Sequence, residues 1–171
     1  MTKPTYSLYN IEPVIRTYTG RFVNVFAFDV DDIVIEDIAH ALSMQCRFGG
    51  HLPYFYSVAQ HSIMCSLLVD RKYALEALLH DASEAYLVDV PRPIKSGLLN
   101  YAQIETQVQS QIFTKFGIQR TLTKDIKQAD EACLLMEWNG IMTSEQQYLS
   151  SMEQGDAERT FLARFNELYI K

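Results

Sequence analysis

Between Ala77 and Glu84 the chain reads Ala-Leu-Leu-His-Asp-Ala-Ser-Glu, an aliphatic run interrupted by the adjacent His80 and Asp81. This pair constrains the fold more than any other feature of the sequence. A carboxylate among aliphatic neighbours costs stability unless something compensates its charge. On a helix, adjacent side chains point about 100° apart, so one partner for both must sit between them. A metal ion can. The rest of the chain then has to supply further ligands at the same point.

The surrounding pattern is mostly helical. Ile35, Ile38, Ala39, Leu42 and Cys46 recur at amphipathic spacing, and Ser57 reads as the N-cap of a helix through Val58, His61, Met64, Cys65 and Leu68. A helix from about Tyr73 to Ala85 carries the His-Asp pair, and Val90-Pro91-Arg92-Pro93 stops it. Leu98 to Lys115 forms a long helix with an apolar stripe and a solvated glutamine face that includes Gln109. Thr123 caps a helix bearing Ile126, Ala129, Cys133 and Met136, and Ala157 to Ile170 forms the last one. Near the start, Val14–Tyr18 and Phe22–Phe26 flank Thr19-Gly20-Arg21 and read as a β-hairpin. The hairpin could be a lid, an oligomer contact or a flap over the core. The expected fold is a single all-α domain over 1–171: an arm at 1–32 with the hairpin, a helical core at 33–140, and a C-terminal helix in 141–171.

Composition narrows the class. A net charge of −6 argues against binding nucleic-acid polymers but leaves room for a small anion held by a few cations. Three widely spaced cysteines match no disulfide framework and read as thiols in a reducing compartment. The absence of a signal-like or membrane-spanning run gives a cytoplasmic expectation with no membrane partner.

Two residues on other helices can join the pair. His61 lies on or beside the apolar face of its helix, and Asp130 lies next to Ala129 with no basic partner at helical spacing downstream. Each has a plain structural alternative, His61 as a core histidine above all. Together His61, His80, Asp81 and Asp130 make a mixed N/O set suited to Mn²⁺, Co²⁺, Fe²⁺ or Zn²⁺. Asp29, Asp31 and Asp32 read as helix-capping residues rather than a cation site, and His40 as a surface or structural histidine.

The order His…His-Asp…Asp resembles the HD phosphohydrolase superfamily. The stretch His80-Asp81-Ala82-Ser83-Glu84 with Asp89, Pro91, Pro93 and Lys95 behind it resembles the bacterial HD-domain 5′-deoxynucleotidases. Lys127-Gln128-Ala129-Asp130 resembles the segment carrying their last metal ligand, and Arg47-Phe48 precedes Ala59-Gln60-His61 at about their Arg-Trp interval, with Phe48 in place of Trp. The run Ile35 to Leu42 and the chain's size are also similar to small phage HD proteins, among them dATP triphosphohydrolases.

The resemblance implies an HD-type helical bundle holding one divalent ion on His61, His80, Asp81 and Asp130, with Mg²⁺ accompanying the substrate phosphates. It implies cleavage of the O5′–Pα bond of a deoxynucleotide, with dATP the leading substrate and a dNMP the alternative. Glu84 and Asp89 take catalytic roles, while Arg47, Phe48 and Lys95 bind substrate. A homo-oligomer is expected. Cleavage of a cyclic nucleotide or alarmone would use the same ligands, and a non-enzymatic helical adaptor would leave them idle.

Overall fold

The computed structural model describes residues 13–118, 123–142 and 150–170. The chain opens with an antiparallel pair, β1 (Val14–Arg16) and β2 (Phe22–Asn24), in the register Val14↔Asn24, Ile15↔Val23 and Arg16↔Phe22. The strands are shorter than the β-rich runs around them, and residues 1–12 of the expected arm lie outside the described part. The hairpin is fastened to the helical body. Val23 is buried in the main core, the Thr19 amide and hydroxyl donate to Asp37 at 2.7 and 2.9 Å, and Tyr18 stacks on His40. Among the described residues, this is a flap on the core.

Among the described residues, eight α-helices follow: α1 (Ile35–Met44), α2 (Val58–Leu67), α3 (Arg71–Leu78), α4 (Glu84–Leu87), α5 (Arg92–Lys95), α6 (Tyr101–Lys115), α7 (Lys124–Glu137) and α8 (Gln154–Leu168). The all-α class with a small N-terminal hairpin is therefore observed. Of the acidic cluster only Asp29 caps, and it caps the 3-10 turn Val30–Asp32, its Oδ1 accepting from the Asp31 amide; the N-cap position of α1 falls to Val34, which makes no side-chain bond there. Helix α2 is the hub, packed by α1, α3, α7 and α8 and buried nearly all round. Its start is fixed by a capping box: Ser57 Oγ accepts from the Gln60 amide while Gln60 Oε1 accepts from the Ser57 amide. One apolar core joins the hairpin, α1, α2, α6 and α8, and a smaller one groups Cys65, Ala77, Ile126 and Cys133.

The structure corrects the expectation of one helix from Tyr73 to Ala85. Helix α3 ends at Leu78, α4 begins at Glu84, and His80-Asp81 sit on the turn between them. Side chains compete there with the helical backbone ladder. His80 Nδ1 donates to the Ala77 carbonyl at 2.7 Å. Gln109 of α6 inserts its amide where a helical Leu79–Ser83 bond would run. Its Nε2 donates to the Leu79 carbonyl at 2.7 Å, and its Oε1 accepts from the Ser83 amide at 3.0 Å. Gln109 is thus a brace, not part of a merely solvated face.

Other boundaries shift for local reasons. Val88, at φ 69°, ends α4 ahead of the prolines, and α5 then forms at the expected break because Pro93 lies in its first turn, where no N–H is needed. Thr123 occupies the N-cap position of α7 without a side-chain bond to it. Helix α8 starts three residues before Ala157 because Glu153, rather than a later residue, takes its N-cap position.

Candidate metal centre

The four candidate ligands expected from sequence converge from three parts of the fold. His61 comes from the middle of the central helix α2, His80 and Asp81 from the braced turn, and Asp130 from α7. His61 Nε2 is 3.2 Å from Asp130 Oδ1 and 3.6 Å from Asp81 Oδ2. His80 Nε2 is 3.1 Å from Asp81 Oδ2 and 3.9 Å from Asp130 Oδ1.

Both imidazoles are oriented from behind. His61 Nδ1 donates to Glu137 Oε1 at 2.7 Å, and His80 Nδ1 donates to a backbone carbonyl. These bonds leave each Nε2 as a lone-pair donor facing carboxylate oxygens, an arrangement that is repulsive unless a cation sits between them. His80 Nε2 has no hydrogen-bond partner although Asp81 lies so near. Ligands bound at about 2.0–2.3 Å from one ion stand about 3–4.5 Å apart, the observed spacing. The donor set therefore fits a metal ion.

Cys65 adds a thiol. It follows His61 by one helical turn, and its Sγ is 3.5 Å from His61 Nε2. Donor atoms of His61, Cys65, His80 and Asp130 all lie within 4.8 Å of one another, so this buried group could hold a metal ion. Read from sequence, Cys65 was only a buried thiol.

With protons in place of an ion, the electrostatics point the same way. Burial and Arg47 push the His61 pKa down, but Asp130 and Glu137 outweigh them and the net direction is up. Burial also opposes charge on His80, yet Asp81 and Asp130 hold its pKa well above the ordinary value. Burial would raise the Asp81 and Asp130 carboxyls, and the two histidines instead draw both well below the carboxylate range. The site is built to hold positive charge.

Beside the site lies a cavity of about 690 Å³. Asp81, Asp130 and every other candidate from the sequence, namely Arg47, Phe48, Glu84, Asp89 and Lys95, line it. A second glutamine positions two of them: Gln45 donates to the Glu84 carbonyl at 3.0 Å and accepts from the Asp89 amide at 2.9 Å. Glu84 is buried, with its Oε1 3.2 Å from Lys95 Nζ and its Oε2 without a hydrogen-bond partner. Burial first, then the charges of Asp81 and Asp89, push the Glu84 carboxyl up to about 9 against the pull of Lys95. Burial and Asp81 likewise raise Asp89, against the pull of Arg47.

The cations are already engaged. Arg47 is buried, with Nη2 and Nε donating to Glu137 Oε2 at 2.9 and 3.3 Å. Lys95 also donates to Glu105 at 2.6 Å, and Arg92 pairs with Asp130 at 2.9 Å. Sequence reasoning missed Glu137, which follows Asp130 by two helical turns and links His61 to Arg47. It also missed Trp138, which lines the cavity beside Phe48. The spacing of Glu137 from Asp130 was a readable signal, whereas nothing local marks Trp138.

This is a helical protein whose central helix, braced turn and α7 close on one candidate metal centre, two of whose carboxylates, Asp81 and Asp130, line a cavity. The chain belongs to the family of YfdR, an uncharacterized protein of Escherichia coli (strain K12), with 39% identity over 168 residues covering 90% of this chain and 94% of that one. It is also similar to the uncharacterized protein RCAP_rcc00048 of Rhodobacter capsulatus, at 30% identity over 156 residues, 85% of this chain and 78% of the relative. No family model matches the sequence. Among the described residues, no helix is long and apolar enough to cross a membrane.

Proposed function

We propose that the chain is a divalent-metal-dependent phosphohydrolase that cleaves the O5′–Pα bond of 2′-deoxynucleotides. The observation that carries this reading is the position of Glu84, buried and with Oε2 lacking a hydrogen-bond partner, in the lining of the same cavity as Asp81 and Asp130. A divalent transition ion on His61, His80, Asp81 and Asp130 would supply Lewis-acid activation of water and of the phosphoryl group. The mixed donors suit Mn²⁺, Co²⁺, Fe²⁺ or Zn²⁺, and the nearby Cys65 thiol favours the softer of these.

The chain's own residues divide the remaining work. Burial favours the protonated form of Glu84, and its Oε2 has no hydrogen-bond partner, so it would protonate the departing 5′-oxygen. Lys95 holds the other oxygen of Glu84 and presents a charge to the phosphate. Arg47 adds a fixed cation whose orientation is set by Glu137. Asp89, which lines the cavity, would accept from the sugar, and Phe48 would flank the sugar or the base.

Two substrates share the scissile bond. The resemblance to phage enzymes favours dATP, which would release deoxyadenosine and triphosphate. The charge balance favours a dNMP, because Arg47, Arg92 and Lys95 are each already paired with carboxylates of the chain. A triphosphate would have to bring compensating Mg²⁺. The expected homo-oligomer belongs to the same proposal, and the exposed Ile94, Leu98 and Leu99 beside α5 support it.

The test is to incubate metal-loaded protein with each dNMP and dNTP and identify the phosphate released. Orthophosphate from dNMPs supports the monophosphate reading, and tripolyphosphate from dATP the triphosphate one. Neither product from a protein that retains its metal overturns the proposal and turns attention to phosphodiester substrates.

A further inference from the structure

The cavity lining is chemically mixed. Beside the carboxylates of Asp81 and Asp130 it includes Phe48, Leu135 and Trp138, an aromatic and aliphatic surface. The rings of Phe48 and Trp138 lie side by side in a tilted contact, with centroids 6.2 Å apart and planes 55° from parallel. They arrive from unrelated elements, Phe48 from the loop after α1 and Trp138 from the π-helical turn Trp138–Met142 at the end of α7.

Both rings are held in ways that core packing does not explain. Phe48 has φ 55° and ψ 29°, a left-handed conformation unfavourable for an aromatic residue. Gly49 and Gly50 follow immediately, so a glycine at 48 would make the same turn without strain. What a phenylalanine adds there is its ring, and backbone strain of this kind concentrates at binding sites. Arg47, locked by Glu137, lies over that ring at 5.5 Å and supports it. Trp138 leaves 48% of its surface exposed beside Leu135, itself 61% exposed, which is costly unless a ligand covers them.

We propose that Phe48 and Trp138 form an aromatic clamp for the heterocyclic base of the nucleotide, in the lining of the same cavity as Asp81 and Asp130. The proposal rests on the nucleotide reading above. A flat ring held between two others needs them about 7 Å apart, twice a van der Waals contact. From 6.2 Å and a tilt, the half-exposed indole has only to swing outward by about an ångström and rotate. Recognition by stacking alone tolerates every base and favours the larger purine face.

Trp138 is the only tryptophan of the chain, so its fluorescence reports the clamp directly. Titrating the metal-loaded full chain with deoxyadenosine, which carries the ring and no phosphate, is expected to quench the emission saturably. Deoxyribose 5-phosphate, with the phosphate and no ring, leaves it unchanged. Phe48→Ala keeps the reporter and weakens deoxyadenosine binding about tenfold, as loss of one stacking partner requires. Phe48→Leu, which keeps apolar bulk, shows the same loss should the alanine variant fail to fold. By calorimetry Trp138→Ala loses a similar factor and Trp138→Phe recovers most of it. An emission that does not change up to the solubility limit of the nucleoside overturns the clamp, as does undiminished affinity in the folded Phe48 variants. Phosphate release measured on the same preparation separates the two readings. Turnover without quenching removes the clamp and leaves the phosphohydrolase, and quenching without turnover does the reverse.

Discussion

Glu137 Oε1 lies 2.7 Å from His61 Nδ1, and its other oxygen lies 2.9 Å from Arg47 Nη2, so one buried carboxylate both orients a candidate metal ligand and neutralises the cation beside it. Carboxylates behind ligating histidines fix the tautomer and raise ligand basicity, and losing one typically costs about 10–100-fold in metal affinity. Glu137→Gln should therefore bind Zn²⁺ or Mn²⁺ more weakly by about that factor in a chelator competition assay. Glu137→Ala also strands Arg47 in a buried position, which should cost about 3–5 kcal/mol in urea unfolding. Unaltered metal affinity in Glu137→Gln would take this carboxylate out of the site's support.

Gln109 makes a separate prediction, because it braces the ligand turn without touching the cavity. Replacing it by Ala leaves the Ser83 amide without its partner and frees the Leu79 carbonyl from one of its two donors. An unsatisfied buried backbone group costs about 1–3 kcal/mol, and chemical denaturation should show a loss in that range. Metal affinity should fall with it, since the turn then gains a helical alternative that points His80 and Asp81 elsewhere. A variant with full stability and affinity would show that the turn holds itself.

Glu84 sets a pH dependence. Its folded carboxyl keeps a proton up to about pH 9, whereas an unfolded Glu releases it near the ordinary value of 4.5. Between those values the folded state binds more protons, so this group makes the metal-free protein less stable as pH rises. Glu84→Gln, neutral throughout, should flatten that decline when Tm is compared across pH 5–9, while Lys95 keeps its bond to Glu105. An identical pH slope in wild type and variant would place the Glu84 proton elsewhere.

Asp130 is the ligand whose removal should do most. It faces both imidazoles and carries the ion pair from Arg92. Asp130→Ala should lose its metal on gel filtration, read by elemental analysis, with fold preserved by circular dichroism. A variant that keeps stoichiometric metal would shift the centre toward Cys65 and Asp81.

Much of this was written in local pattern. The apolar spacing of α1, α2, α6, α7 and α8 and the Ser57 N-cap depend on near neighbours, so the sequence alone determined the helical class and the start of α2. It also determined that His61, His80, Asp81 and Asp130 are awkward residues for their surroundings, because burial of charge is legible from adjacent aliphatics. Tertiary structure decided what lay between distant segments. Only Gln109, arriving from α6, turned an apparent helix at His80-Asp81 into a turn, since its amide competes for backbone groups that local propensity assigns to the helix. Only the approach of α7 to α2 put Glu137 behind His61, Cys65 beside the ligands and Trp138 opposite Phe48. The His-Asp pair could announce from its neighbours that it needed partners, but the identity of those partners is a matter of packing across the chain.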